Sequence, residues 1–426
     1  MSTEVITLIV ILFVLLFTST PIAMALGLTS FVYLYYFTTV PLTQVVERLF
    51  NALNSFPLMA IPFFVLAANI MTRGGISRRL TEFGNALVGQ YRGGMAMTAV
   101  LACMFFAAVS GSSPATVIAV GTLMIPAMIR HGYSKEFSTG LIATSGSLGI
   151  LIPPSIPLIV YGIATETSIG DLFLAGILPG LVAGLMLLGM AVWVSRRRNF
   201  GEHTGERLPR GTRRRAFRDA ILALLLPVIV LGGIYGGIFT PTEAAAAAVA
   251  YSFIVAMLIY RELTFKDLAT VFLNSAKTSA MVMFIIANGI LFTFVLSLER
   301  IPNQVTSGIA GMNLEPWQFL LIVNVVLLIV GCFMETSSAL LILAPILLPI
   351  ALELGVDPIH LGVIMVMNLE IGMITPPLGL NLFVASGLSG MSVLQVAKAA
   401  LPSAGVLLVA LILVTYLPIL SLALIS

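Results

Sequence analysis

Two clusters of hydroxyl side chains, each followed about forty residues later by a double proline, are the groups in this chain whose types and spacing could do chemistry. The first pairs Ser110-Gly111-Ser112-Ser113 with Pro153-Pro154-Ser155, and the second pairs Glu335-Thr336-Ser337-Ser338 with Thr375-Pro376-Pro377. All four lie inside apolar runs. In hydrocarbon an unsatisfied amide or carbonyl costs several kcal/mol, so polar turns and prolines at that depth must be buried in protein or line a cavity. Proline has no N–H, which frees a carbonyl one turn earlier. Hydroxyls of Ser110, Ser112, Ser113, Thr336, Ser337 and Ser338, with carbonyls near Gly149, Ile150, Gly372 and Met373, make oxygen-only donor sets. Such sets suit a hard cation, and sodium is the coupling ion they predict. Taken singly, a serine in a membrane helix back-bonds or packs as a small residue, and a lone proline kinks its helix. Repetition of the whole constellation favours the ligand reading.

The elements that must position these groups come in two copies. Pro126 aligns with Pro349, Gly149 with Gly372, Pro153-Pro154 with Pro376-Pro377, and Leu178-Pro179 with Leu401-Pro402, all at an offset of 223 residues. The serine clusters align at 225, so a two-residue gap suffices. Matching interruptions in two halves point to a transporter binding site. Composition agrees: 59% of the 426 residues are hydrophobic, only 9% are charged, and mean hydropathy is +1.09. A soluble chain would carry about 25% charged residues, so this is a polytopic all-α membrane protein. The two cysteines, Cys103 and Cys332, sit in apolar runs and predict no structural disulfide. The first apolar run lacks a basic leader and continues into a second, so no cleavable signal is expected.

About 20 residues span a bilayer. Apolar runs at 4–18, 21–38, 56–72 and 172–195 read as spans, with 39–55 interfacial. Residues 73–92, with Arg73, Arg78, Arg79 and Arg92, read as a basic cytoplasmic loop. Arms at 95–109 and 114–129 have about 15 residues each, which suits a re-entrant hairpin. Basic residues on both flanks return the chain to one side; two very short crossings would do the same. Residues 138–166 form a span broken at Pro153-Pro154. Residues 196–218, with Arg196, Arg197, Arg198, Arg207, Arg210, Arg213, Arg214, Arg215 and Arg218, form the cytoplasmic connection. Between two spans this is an orientation signal, and no nucleic-acid partner is inferred. Five crossings in residues 1–195 invert the repeat at 219–426, with spans at 219–239, 242–260 and 271–298 and a hairpin at 317–352. A broken span at 358–388 and a final run at 394–424 complete it, and both termini come out periplasmic. Glu315, Glu353 and Asp357 flank the second hairpin where the first has basic residues, so one hairpin opens from each side.

Glu335 and Glu370 sit in or beside apolar runs, and an intramembrane carboxyl is a functional candidate by default. A solvated hairpin mouth for Glu335, and a proton carrier or a hydrogen-bonding strut for Glu370, are the competing roles. Glu243, after Thr240-Pro241-Thr242, reads as a helix cap. His131, His203 and His360 fall in or near loops, so no base is placed beside the membrane serines and no serine hydrolase is predicted. No GxxxxGK[ST] phosphate loop or Cys/His cluster is present, so an ion gradient or another subunit must supply energy. No enzyme activity and no organic cofactor are expected.

The chain resembles the large membrane subunit of tripartite ATP-independent periplasmic (TRAP) transporters. The resemblance rests on Ser110-Gly111-Ser112-Ser113-Pro114-Ala115, Gly149-Ile150-Leu151-Ile152-Pro153-Pro154-Ser155, Phe239-Thr240-Pro241-Thr242-Glu243-Ala244 and Gly372-Met373-Ile374-Thr375-Pro376-Pro377, and it covers essentially the whole chain. It implies a bacterial inner-membrane protein with two inverted repeats and an elevator mechanism. It further implies a small four-helix membrane subunit, a separate polypeptide here, and a periplasmic substrate-binding protein that delivers an organic acid anion with sodium coupling. Carried over residue by residue, one sodium site comprises Ser112, Ser113, Gly149 and Pro153, and a second comprises Thr336, Ser337, Gly372, Thr375 and Pro376. Substrate lies between the hairpin tips, near Ser110, Ser155, Ser338 and Asn381, with Asn381 orienting a carboxylate. Arg48 and Arg300 are candidates to meet the binding protein. C4-dicarboxylates, sialic acid and similar carboxylates all fit a hydroxyl-lined pocket. The alternative is a stand-alone sodium- or proton-coupled carboxylate carrier needing no binding protein. An ion channel fits less well, because it does not explain closed, inverted hairpins.

Overall fold

The computed structural model describes residues 3–18, 20–200, 211–302, 304, 314–377 and 379–425. His203, Arg207 and Arg210 of the basic connection, Ser19, and Leu378 in the second broken span lie outside the described residues. The described elements are helical, and eight are long and apolar enough to cross a membrane. Two short helices, α1 (Thr3–Phe17) and α2 (Ile22–Phe37), occupy the first two apolar runs. Next come α3 (Leu42–Leu53) and then α4 (Ala60–Arg73), entered through a 3-10 turn at Phe56–Met59.

The segment after Arg73, expected as a loop, is mostly helix α5 (Ile76–Val88). Ile76, Leu80 and Ala86 are buried while Arg78 and Glu82 stay exposed, so one apolar stripe docks the segment and helix follows. Arg79 fixes it, donating to Glu262 at 2.7 Å with its guanidinium over the Tyr260 ring at 3.7 Å.

The first hairpin is α6 (Gly94–Ser110) and α7 (Ser113–Arg130). The second arm has 18 residues, longer than its apolar run because Ser113-Pro114 opens the helix and Arg130 closes it. The first broken helix follows: α8 (Lys135–Ser145), a 3-10 turn at Gly146–Ile150, the double proline, and α9 (Ile156–Thr165). Helix α10 (Ile169–Arg197) then runs out to the arginine cluster.

The second half begins with α11 (Thr212–Tyr235), then α12 (Pro241–Phe253), which continues as a π-turn to Ile259, then α13 (Phe265–Leu298). Thr240 and Glu243 cap α12 reciprocally, Glu243 N–H donating to Thr240 Oγ1 at 3.3 Å and Thr240 N–H to Glu243 Oε2 at 2.8 Å. Buried Ala244, Ala245 and Ala248 let α12 lie close against α4, as small residues do between membrane helices. The second hairpin is α14 (Pro316–Gly331) and α15 (Thr336–Glu353). The second broken helix is α16 (Pro358–Gly372) and α17 (Leu380–Ser389), and α18 (Val393–Tyr416) and the short α19 (Ile419–Leu422) end the chain. Glu315 and Asp357, read first as loop charges, also cap α14 and α16.

Equivalent helices of the two halves run in opposite directions. Arg197 at the C-terminal end of α10 and Lys398 in the first turns of α18 line one cavity. Tyr161 near the end of α9 donates to the carbonyl of Pro358 at the start of α16 at 2.6 Å. The broken helices and hairpins thus form one core crossing both halves: α15 packs on α9, and α17 packs on α7 and α8.

Candidate functional site

Each hairpin tip is wedged against the interruption of the broken helix that follows it. Gly111 turns the first tip at φ +60°, and an added Cβ there would stand 2.7 Å from the Pro154 carbonyl. Its own carbonyl accepts the Ile156 N–H at 3.3 Å. On the other side of the break, Gly149 faces the Ser112 carbonyl at a hypothetical Cβ distance of 2.7 Å, so no larger residue fits. In the second half Gly372 lies against Gly331, where a Cβ would come 2.4 Å from the Gly331 backbone. Both double prolines carry a cis peptide.

The two interruptions differ in exposure. Pro153, Pro154 and Ser155 are buried, whereas Pro376 and Pro377 are exposed and Thr375 is half-buried. Ser155 is a local strut: its hydroxyl donates to the Ile150 carbonyl and accepts from Leu158 N–H at 3.4 Å, capping α9. That places a partner on the Ile150 carbonyl, expected to be free. The Met373 carbonyl likewise accepts the Asn381 N–H at 3.2 Å, and the Gly372 carbonyl accepts the Thr375 N–H at 2.9 Å. Tight turns recover part of the backbone bonding that the prolines remove, as buried backbone must.

At the first tip, Ser110 shares a hydrogen bond of 2.9 Å with Thr116, whose hydroxyl reaches the Ser112 carbonyl at 2.9 Å. Ser113 is fully buried and donates to Asn381 Oδ1 at 3.0 Å. At the second tip, Glu335 caps α15, accepting from Ser338 N–H at 3.1 Å and from the hydroxyls of Ser337 and Ser338 at 2.9 and 3.3 Å. Thr336 donates to the Met373 sulfur at 3.0 Å, and Thr375 donates back to the Ile371 carbonyl at 2.8 Å.

Asn381 is the hub. Its amide donates to Glu370 Oε1 at 2.9 Å and to Ser147 Oγ at 3.4 Å, while its carbonyl accepts from Ser113. Glu370, Ser147 and Asn381 come from both broken helices and Ser113 from the first hairpin. Among the described residues the second carboxyl oxygen of Glu370 is buried without a hydrogen-bond partner, and Glu370 and Ser147 line a void of about 10 Å³. Buried polar groups are nearly always paired, so this carboxyl stands out.

Sequence reasoning did not single out Ser147, Thr116 or Asn324. Asn324, on α14, accepts from Asn368 at 2.6 Å and donates to Thr415 at 3.1 Å. A lone asparagine in an apolar hairpin arm was the available signal. His360, expected near a loop, is buried at the start of α16 between Ser421 Oγ and the Thr415 carbonyl, each at 3.2 Å, because α19 folds over it. It thus has a serine partner, though not one in the hydroxyl clusters. Arg48 stacks over Phe294 at 3.5 Å, and Arg300 sits at φ +52° just after α13. Among the described residues, no three His, Cys, Asp or Glu side chains gather as a metal group. A cation at either tip would rest on hydroxyl and carbonyl oxygens and, at the second, on Glu335.

Comparison with known proteins adds to this geometry. Residues 9–420 match the family model described as "Tripartite ATP-independent periplasmic transporter, DctM component". The chain is 52% identical over 403 residues to the C4-dicarboxylate TRAP transporter large permease protein DctM of Pseudomonas aeruginosa, covering 94% of this chain and 93% of that one. It is 45% identical over 398 residues to the isethionate TRAP transporter permease protein DctMQ of Oleidesulfovibrio alaskensis, covering 93% of this chain but 62% of that longer protein. Among solved structures, the YdaH transporter of Alcanivorax borkumensis superposes with a TM-score of 0.66 at 15% identity, covering 97% of this chain and 98% of that one. That likeness is one of fold.

Proposed function

Because the chain belongs to the DctM component family of tripartite ATP-independent periplasmic transporters, we propose that it imports an organic acid anion, a C4-dicarboxylate first among the candidates, by coupling to sodium. It is a transporter permease and not an enzyme, a multi-pass protein of the inner membrane. The observation that carries the finer reading is the Asn381 hub, which ties the interruption of one half to the hairpin and interruption of the other. In this proposal a substrate between the tips touches both halves at once, Asn381 orients its carboxylate and Ser110, Ser155 and Ser338 serve it. All four are buried and hydrogen-bonded within the protein in the state described, so the elevator step must open the site.

Sodium here is cargo. The first site would use oxygens of Ser112, Ser113, Gly149 and Pro153; the second, those of Thr336, Ser337, Gly372, Thr375 and Pro376. What supports these sets is their chemistry: neutral oxygens at both tips and one carboxylate, Glu335, at the second. Residues 1–195 and 219–426 act as inverted repeats joined by the basic connection 196–218. Hairpins and broken helices move as one body against α4, α11, α12 and α13 in an elevator step. The partners are a small four-helix membrane subunit, a reading supported by the DctMQ name of a longer relative of which this chain matches 62%, and a periplasmic binding protein. Relatives named for a dicarboxylate and for a sulfonate support an organic anion as the substrate class.

The test is uptake of a panel of radiolabelled organic acids into proteoliposomes holding this chain and its small subunit. Binding protein and an inward sodium gradient are added or withheld. Succinate or malate uptake that needs both additions is expected. Uptake without binding protein would replace this reading with a stand-alone carrier.

A further inference from the structure

A cavity of about 880 Å³ opens where the arginine-bearing end of α10 meets the first turns of α8 and α18, away from the hairpin tips. Lys135, Arg197, Arg198 and Lys398 line it against one carboxylate, Glu136. None of the four cations is in an ion pair among the described residues, and all four are exposed. Deeper in, the walls turn apolar with Leu141, Met190 and Val194. Trp193 lies on the rim, more than half exposed, with the Arg197 guanidinium 5.2 Å from its ring centre.

We propose that this cavity binds the phosphodiester headgroup of an anionic phospholipid, with its acyl chains lying on the apolar wall. Charge complementarity selects the occupant: four cations, none of them ion-paired among the described residues, face one acid at a membrane-helix end, and basic pockets between such helices take anionic headgroups. Position argues against a soluble ligand. The polar mouth and the apolar floor are stacked along the axis of α10, matching the order of headgroup and chain in a leaflet, and Trp193 marks the level where interfacial aromatics sit. A small anion would use the cations and leave the apolar floor bare. The two halves each supply part of the wall, α8 and α10 from one and α18 from the other, so a bound lipid would clamp the two halves at this edge.

The sequence contains two tryptophans, Trp193 and Trp317, which makes the site readable. The full chain carrying Trp317→Phe is reconstituted in phosphatidylcholine vesicles doped with brominated cardiolipin or, at equal bromine content, brominated phosphatidylcholine. The signal of a Trp193→Phe/Trp317→Phe control is subtracted. Brominated cardiolipin is expected to quench Trp193 at lower mole fraction than brominated phosphatidylcholine. Arg197→Gln with Lys398→Gln is expected to weaken that preference by about tenfold or more, while phosphatidylcholine quenching stays as it was. Lys398→Gln alone, the milder change, should weaken it partway. Equal quenching by the two lipids, or a preference that survives the double substitution, overturns the proposal. So does loss of the preference on adding inorganic phosphate but not chloride of equal ionic strength, which would assign the cations to a soluble anion. Absence of quenching by either lipid would mean that protein covers the cavity, and overturns it too.

Discussion

Ser113 at the first hairpin tip donates to the side-chain carbonyl of Asn381 at 3.0 Å, across 268 residues of chain. Both groups are fully buried, and the Asn381 amide is committed to Glu370. Removing either partner therefore strands a polar atom at a place water does not reach.

Ser113→Ala and Asn381→Ala should each lower thermal stability of the purified chain by roughly 1–3 kcal/mol, the cost of orphaning a buried group. The double variant should lose less than the sum, with a coupling of about 0.5–3 kcal/mol. Strict additivity in a double-mutant cycle of melting measurements would show that the bond contributes nothing to the fold.

Glu370→Gln keeps the shape of the side chain and can still accept from Asn381, so folding and membrane yield should stay close to wild type. Glu370→Ala should destabilise by about 1–3 kcal/mol through the stranded amide. Comparing melting temperatures of the two variants separates the roles: equal losses would mean that the Asn381 bond to Glu370 is dispensable.

Ser112→Ala and Ser337→Ala should each raise the sodium concentration needed for half-maximal uptake about tenfold, a ligand loss of near 1.4 kcal/mol, with little change in yield. Ser337→Ala also frees one oxygen of Glu335, which accepts that hydroxyl at 2.9 Å. Sodium titrations of uptake that coincide with wild type for both variants would remove the cation-ligand reading.

Gly372→Ala should be among the most damaging single methyl additions, because its Cβ would meet the Gly331 backbone at 2.4 Å and neither backbone can yield. Overpacking of this kind costs about 1–3 kcal/mol or more. Gly387→Ala, in open space on α17, should be neutral or slightly stabilising. Size-exclusion profiles and melting of the two variants side by side provide the check, and similar behaviour would refute the close approach.

Replacing Arg213, Arg214 and Arg215 by glutamine should alter membrane orientation or yield without changing apparent sodium affinity. Arg213 also donates to the Ala86 carbonyl at 3.2 Å, so a modest loss of stability should accompany it. Accessibility labelling of an introduced loop cysteine reports orientation. A selective change in sodium affinity would count against an orientation role.

The sequence by itself determined the elements whose cause is local or compositional. Apolar runs long enough for a bilayer, the Thr240–Glu243 cap and the recurrence of the same interruptions at a constant offset all follow from residue type and spacing. Helix α5 was missed, since its basic exposed face masks an apolar stripe that only docking against the core reveals. Tertiary structure alone decided which polar groups meet. Ser113, Ser147, Glu370 and Asn381 are brought together by antiparallel packing of the two halves, and no periodicity in the chain encodes a contact across 268 residues. It also decided that His360 is buried beneath α19. A hydroxyl's partner depends on which backbone atoms the fold leaves unpaired nearby, and that is settled only once the helices have packed.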